Sequence, residues 1–82
     1  MPVERSRAEA RYLASLGARV RKRRKELGWS QRELAERSQL QLSYIGGIET
    51  GGRNVGAINL ARLATALGYD DVGQLMDGLS LP

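Results

Sequence analysis

The stretch from Gly28 to Asn54, GWSQRELAERSQLQLSYIGGIETGGRN, restricts the fold of this chain more than any other part of it. Gly28 supplies the left-handed conformation that ends a helix. Ser30-Gln31-Arg32-Glu33 then fits the S-x-x-E capping box, in which Ser30 accepts from the Glu33 amide and Glu33 reaches back to Ser30. Trp29 before the cap and Leu34 at the fourth helical position fit a hydrophobic staple. The pattern predicts a short helix from Gln31 to about Arg37 that buries Leu34 and Ala35, followed by a turn at Ser38-Gln39-Leu40. A further helix is expected from about Leu42 to Thr50, apolar at Tyr44, Ile45 and Ile48 and stopped by Gly51-Gly52.

The flanking segments extend this into an all-α chain. Tyr12, Leu13, Leu16, Val20 and Leu27 recur at three- and four-residue steps, one face of a helix over about 8–27. Arg24 falls on that same face. A fourth helix is expected over about 57–67, with Ile58, Leu60, Ala61, Leu63, Ala64 and Leu67 inward, and a fifth over about 71–78, started by Asp70 or Asp71. Residues 1–7 are polar and expected to be flexible. Each connection is short, as in a compact helical domain, so residues 1–82 are expected to form one domain.

Composition removes several function classes. Cysteine and histidine are both absent, so there is no disulfide, no thiolate metal site and no imidazole base. No enzyme, metal, cofactor or small-molecule ligand is expected from such a side-chain set. No apolar run approaches the roughly 20 residues that span a bilayer, and the N-terminal residues carry charges where a signal peptide would be apolar. A cytoplasmic location is the expectation. The net charge of +4 is unevenly spread: residues 1–28 hold nine of the 13 Lys and Arg against Glu4, Glu9 and Glu26. Arg19, Arg21, Lys22, Arg23, Arg24 and Lys25 crowd into one short stretch, while only acids follow Arg62. One end of the molecule is therefore suited to a polyanion.

A helix braced by a shorter partner, next to a source of positive field, has the form of an element that enters the major groove of DNA. On LGARVRKRRKELGWSQRELAERS, YIGGIETGGRN and LARLATALG, the chain resembles the Cro/C1-type (XRE) helix-turn-helix family from about Leu16 to Gly68. The resemblance implies a compact, five-helix, lambda-repressor-like DNA-binding domain. Within the family, SYIGGIETGGRNVGAINL is most similar to the controller proteins of restriction–modification systems, small dimers that regulate their own operon. It implies double-stranded DNA as partner, with RNA polymerase a further one. Gln41, Leu42, Ser43, Gly46 and Gly47 match positions that face base edges. Gln31, Arg32, Tyr44, Arg53 and Asn54 match positions at the DNA backbone, and Arg24 and Glu49 match a structural ion pair. A homodimer sealed by Val72, Leu75, Met76 and Leu79 is expected, although these residues could instead close the core of one protomer.

Three positions depart from the family pattern. Gln39 stands where the turn usually has glycine, at a side-chain penalty if left-handed. Gln41 replaces Ser or Thr at the start of the reading helix, so its cap should be weak. Leu42, Gly46 and Gly47 stand where hydrogen-bonding side chains are common. Either the two glycines let the helix approach the groove floor and read DNA shape, or they relieve crowding against a neighbouring helix. A protein-interaction role, such as an antitoxin, is the alternative function that this reduced surface leaves open.

Overall fold

Side-chain caps at Ser6, Ser30 and Asp71 and left-handed glycines at Gly28, Gly51, Gly68 and Gly78 mark most of the helix ends. The computed structural model describes residues 4–81, and among them all regular structure is helical: α1 (Arg7–Glu26), α2 (Gln31–Ser38), α3 (Leu42–Glu49), α4 (Ala57–Ala66) and α5 (Val72–Leu75). Residues 1–3, part of the segment expected to be flexible, lie outside the described residues. Arg7 in that segment is already helical. Ser6 caps α1 with a complete capping box, its hydroxyl accepting from the Glu9 amide at 3.1 Å while its own amide donates to Glu9 Oε1 at 2.8 Å.

The box expected at Ser30 is half formed. Ser30 Oγ accepts from the Glu33 amide at 3.1 Å, but the Glu33 carboxylate turns away to accept from Arg37 Nε at 3.1 Å. Arg37 is held over the Trp29 ring, 4.3 Å from its centroid, which draws the carboxylate along the helix and covers the indole face. Gln39 ends α2 at φ 60°, a left-handed non-glycine residue. Gln41 caps α3 with no side-chain hydrogen bond. α5 is one turn long and stops well short of residue 78, because the chain bends at Met76 and turns at Gly78, φ 78°.

Leu16, Val20, Leu34, Ala35, Ile45, Ile48, Val55, Leu63, Ala64, Leu67 and Leu75 form one core drawn from all five helices. Leu75 is fully buried within the protomer and has no surface left for a partner, which corrects its assignment to a dimer face. Ile58 and Ala61, expected inward, face solvent, Ile58 at 71% exposure. The α4 stripe that packs is narrower, built on Leu63, Ala64 and Leu67.

α3 is seated chiefly against α1. A Cβ at buried Gly17 would overlap the carbonyl oxygen of Ile48 and lie 2.7 Å from that of Glu49. Gly51, at φ 81°, brings its own backbone against Ala14, where a Cβ would lie 2.9 Å from Cα. The two backbones meet directly at both points. Arg24 then fastens this seat: it donates to Glu49 at 2.7 and 2.9 Å through Nε and Nη2, and to the Trp29 carbonyl at 2.7 Å through Nη1. One guanidinium thus joins α1, the α1–α2 link and the end of α3.

Candidate nucleic-acid interface

With Ile45 and Ile48 turned into the core, α3 presents Gln41, Leu42 and Ser43 to solvent, and Gly46 and Gly47 behind them. A Cβ at Gly46 would find nothing nearer than Gln31 Oε1 at 3.9 Å. At Gly47 the only close atoms belong to the side chain of Arg53, with Cγ at 2.9 Å and Nε at 3.0 Å from the Cβ position. Neither glycine therefore relieves crowding against a neighbouring helix. That role belongs to Gly17, which the helical periodicity of α1 hides because glycine leaves no mark in an apolar stripe.

Gln31 opens α2 beside this surface and donates through Nε2 to Glu49 Oε1 at 3.1 Å. One of its amide hydrogens is thereby committed to the scaffold, and the other remains for an anion. Glu49 is the shared acceptor of Arg24 and Gln31. Burial pushes its carboxyl up, but the hydrogen bonds from Arg24 and Gln31 and the charges of Arg24 and Arg21 outweigh this and hold it below the usual carboxylate range. The hydrogen bond to Glu49, working against desolvation, holds Arg24 above its usual value. Both shifts favour the charged form of the pair.

Tyr44 packs against the core edge, and its hydroxyl oxygen accepts from Asn59 Nδ2 at 3.2 Å. Gln41, Ser43, Tyr44 and Arg53 border one concavity between α3 and α4. Asn59 and Arg62 line the same concavity and were not singled out from sequence; Arg62 is the last cation of the chain, which was the available signal. Arg32 is exposed at the start of α2. Asn54 is exposed next to Arg53 and also borders a second recess, with Tyr12, Leu13 and Leu81 near the start of α1.

The basic run divides into two groups. Arg23 Nε donates to the Leu67 carbonyl at 3.0 Å, and Arg19 Nη1 to the Leu75 carbonyl at 2.9 Å. These two arginines close the C-terminal ends of α4 and α5, where a cation also suits the helix dipole. Arg24 is in the ion pair. Arg21, Lys22 and Lys25 remain exposed. Arg21 shares a helical stripe with Gly17 and Arg24, the two residues that touch the end of α3, so it is an exposed cation of this run on the α3 side.

A sequence profile of the helix-turn-helix family HTH_3 matches residues 20–72, from the middle of α1 to the start of α5. The chain belongs to this helix-turn-helix family. Its two-helix unit is α2–α3, with the left-handed Gln39 in the turn between them. The fold is also similar to that of solved structures. The restriction-modification controller protein C.AhdI from Aeromonas hydrophila is 44% identical, with a TM-score of 0.73 over 77% of this chain and 94% of that one. The clp gene regulator ClgR from C. glutamicum is 34% identical, with a TM-score of 0.71 over 79% of this chain and 83% of that one. A hypothetical transcription factor, NHTF, from Neisseria is 33% identical, with a TM-score of 0.74 over 100% of this chain and 88% of that one. No curated protein sequence matches the chain. By family and fold, this helix-turn-helix protein is a DNA-binding transcriptional regulator.

Proposed function

We propose that the protein binds a pseudo-palindromic operator as a homodimer and regulates its own operon as the controller of a restriction–modification system. One observation carries the DNA-binding geometry: α3 stands proud with Gln41, Leu42 and Ser43 exposed, while Gly17 and the Arg24–Glu49 pair hold its far side rigidly on α1. Phosphate contacts fall to Gln31, Arg32, Arg53, Asn54 and Arg21, and base selection to the outer face of α3. The 44% identity to C.AhdI supports the controller role. A dimer would set two copies of α3 one helical turn apart, about 34–36 Å. Val72, Met76 and Leu79, partly buried on the core's edge, are the residues assigned to its two-fold face. Occupying or presenting a promoter to RNA polymerase is then the regulatory act, carried out in the cytoplasm. No helix among the described residues is long and apolar enough to cross a membrane.

Footprinting on the DNA upstream of the protein's own gene tests this function. Protection of two half-sites about one turn apart supports it. Binding should weaken with salt at a log–log slope of about −3 or steeper, as expected when a dimer displaces several phosphate counterions. No protection, together with co-purification of a second small protein, would replace it with a partner-binding role.

A further inference from the structure

The outer face of α3 lacks a strong hydrogen-bond donor in its C-terminal half, where Gly46 and Gly47 stand. The chain that follows supplies one. After α3, the Gly51 amide donates to the Ile48 carbonyl at 3.0 Å and the Gly52 amide to the Gly47 carbonyl at 2.8 Å, with Gly51 left-handed at φ 81°. This is the paired 5→2 and 6→1 hydrogen bonding of a Schellman turn. It reverses the backbone so that Arg53 comes back alongside the last turn of the helix.

The Arg53 side chain then runs across Gly47. Its Cγ, Nε and Cδ lie 2.9, 3.0 and 3.5 Å from where a Cβ of residue 47 would stand. Its guanidinium carbon is 5.7 Å from the centroid of the Tyr44 ring, one turn nearer the start of α3. A helical side chain leans toward the N-terminus and covers the turn before its own Cα. The guanidinium of Arg53 therefore occupies the space that a long side chain at position 47 would fill.

We infer that Arg53 is a base-reading residue of this protein, set on the reading face by the missing side chain of Gly47. It acts as the surrogate side chain of position 47, and Gly47 is its positioning residue. The natural target of such a planar donor is a guanine edge in the major groove, where two parallel N–H donors meet O6 and N7. The Tyr44 ring holds the guanidinium on this face before DNA arrives, which limits the ordering needed on binding. This inference rests on the proposed DNA-binding function, but it changes the role of Arg53 from gripping phosphate to choosing sequence.

The test selects bound molecules from a pool of randomised duplex DNA with the wild-type protein, Arg53→Lys, Gly47→Ala and the double variant. Dissociation constants are then measured for the selected duplex and its single-base-pair variants. Arg53→Lys keeps the positive charge but not the planar fork of donors, so the loss it shows is one of donor geometry rather than of charge. Its preference at one G·C pair per half-site should fall about tenfold or more. Gly47→Ala, with Arg53 displaced, should lose the same preference while melting no lower than wild type, and the double variant should lose no more than either single one. Equal weakening of Arg53→Lys on every duplex would reduce Arg53 to a phosphate contact and overturn the inference alone. So would an unchanged preference in Gly47→Ala. A wild-type protein that retains no duplex from the pool would overturn the DNA-binding function as well.

Discussion

Arg24 and Glu49 meet in two parallel hydrogen bonds, 2.7 and 2.9 Å long, between side chains only 10% and 3% exposed. Removing one member leaves the other charge buried without its partner, which costs about 3–5 kcal/mol. Arg24→Ala and Glu49→Ala should each lower stability by about that amount in urea unfolding. Substituting both with apolar residues of similar size should cost much less than the two single changes added together. A melting temperature unaltered by Arg24→Ala would show that the pair is not structural.

The depressed titration of Glu49 makes stability fall in acid. In the unfolded chain a glutamate protonates near about pH 4.3, whereas the folded carboxyl holds on to its charge to lower pH. The stabilisation is complete above the unfolded value and disappears as pH falls through the folded one. Melting temperatures followed from neutral pH downward should therefore drop for the wild type. Glu49→Gln should start lower, and the gap to the wild type should narrow as pH falls below the unfolded value and close only once the folded carboxyl takes up its proton. Parallel curves would contradict the assignment.

Two helical glycines should respond in opposite senses to alanine. Gly17→Ala drives a methyl group into the Ile48 and Glu49 carbonyls, and backbone cannot step aside cheaply; overpacking of this kind costs about 1–3 kcal/mol. At Gly46 the nearest atom is 3.9 Å away, so alanine should stabilise α3 by up to about 1 kcal/mol through helix propensity. Chemical unfolding of both variants checks the contrast.

Gln39→Gly should stabilise the protein. The glutamine is left-handed at φ 60°, a conformation that costs a side-chain-bearing residue about 1–2 kcal/mol. Greater freedom of glycine in the unfolded chain takes back part of this gain. A higher urea midpoint with an unchanged slope is the expected result. A lower midpoint would mean that the Gln39 side chain contributes contacts that outweigh its strain.

Local rules made most of the helix boundaries legible. Ser30, Gly28, Gln39 and Gln41 act within a few residues of themselves, and their consequences appear in the structure at those positions. Ser6-Arg7-Ala8-Glu9 obeys the same rule as Ser30–Glu33, yet its polar surroundings read as a frayed end. What local rules cannot reveal are partners distant in the chain. Arg19 reaches a carbonyl 56 residues away and Arg23 one 44 residues away, so a basic run that looks uniformly solvent-facing is half scaffold. A one-turn helix offers no periodicity to separate buried Leu75 from half-buried Val72 and Met76. The seat of Arg53 was hidden for a related reason: it depends on a side chain that residue 47 does not have.

The approach of α1 to α3 through Gly17 and Gly51 is backbone against backbone. No side chain on the outward face of α3 takes part in it, so substitutions there need no matching change in α1. Evolution can thus rewrite the reading face one residue at a time while inheriting the mounting intact, and a laboratory seeking a new target preference can do the same.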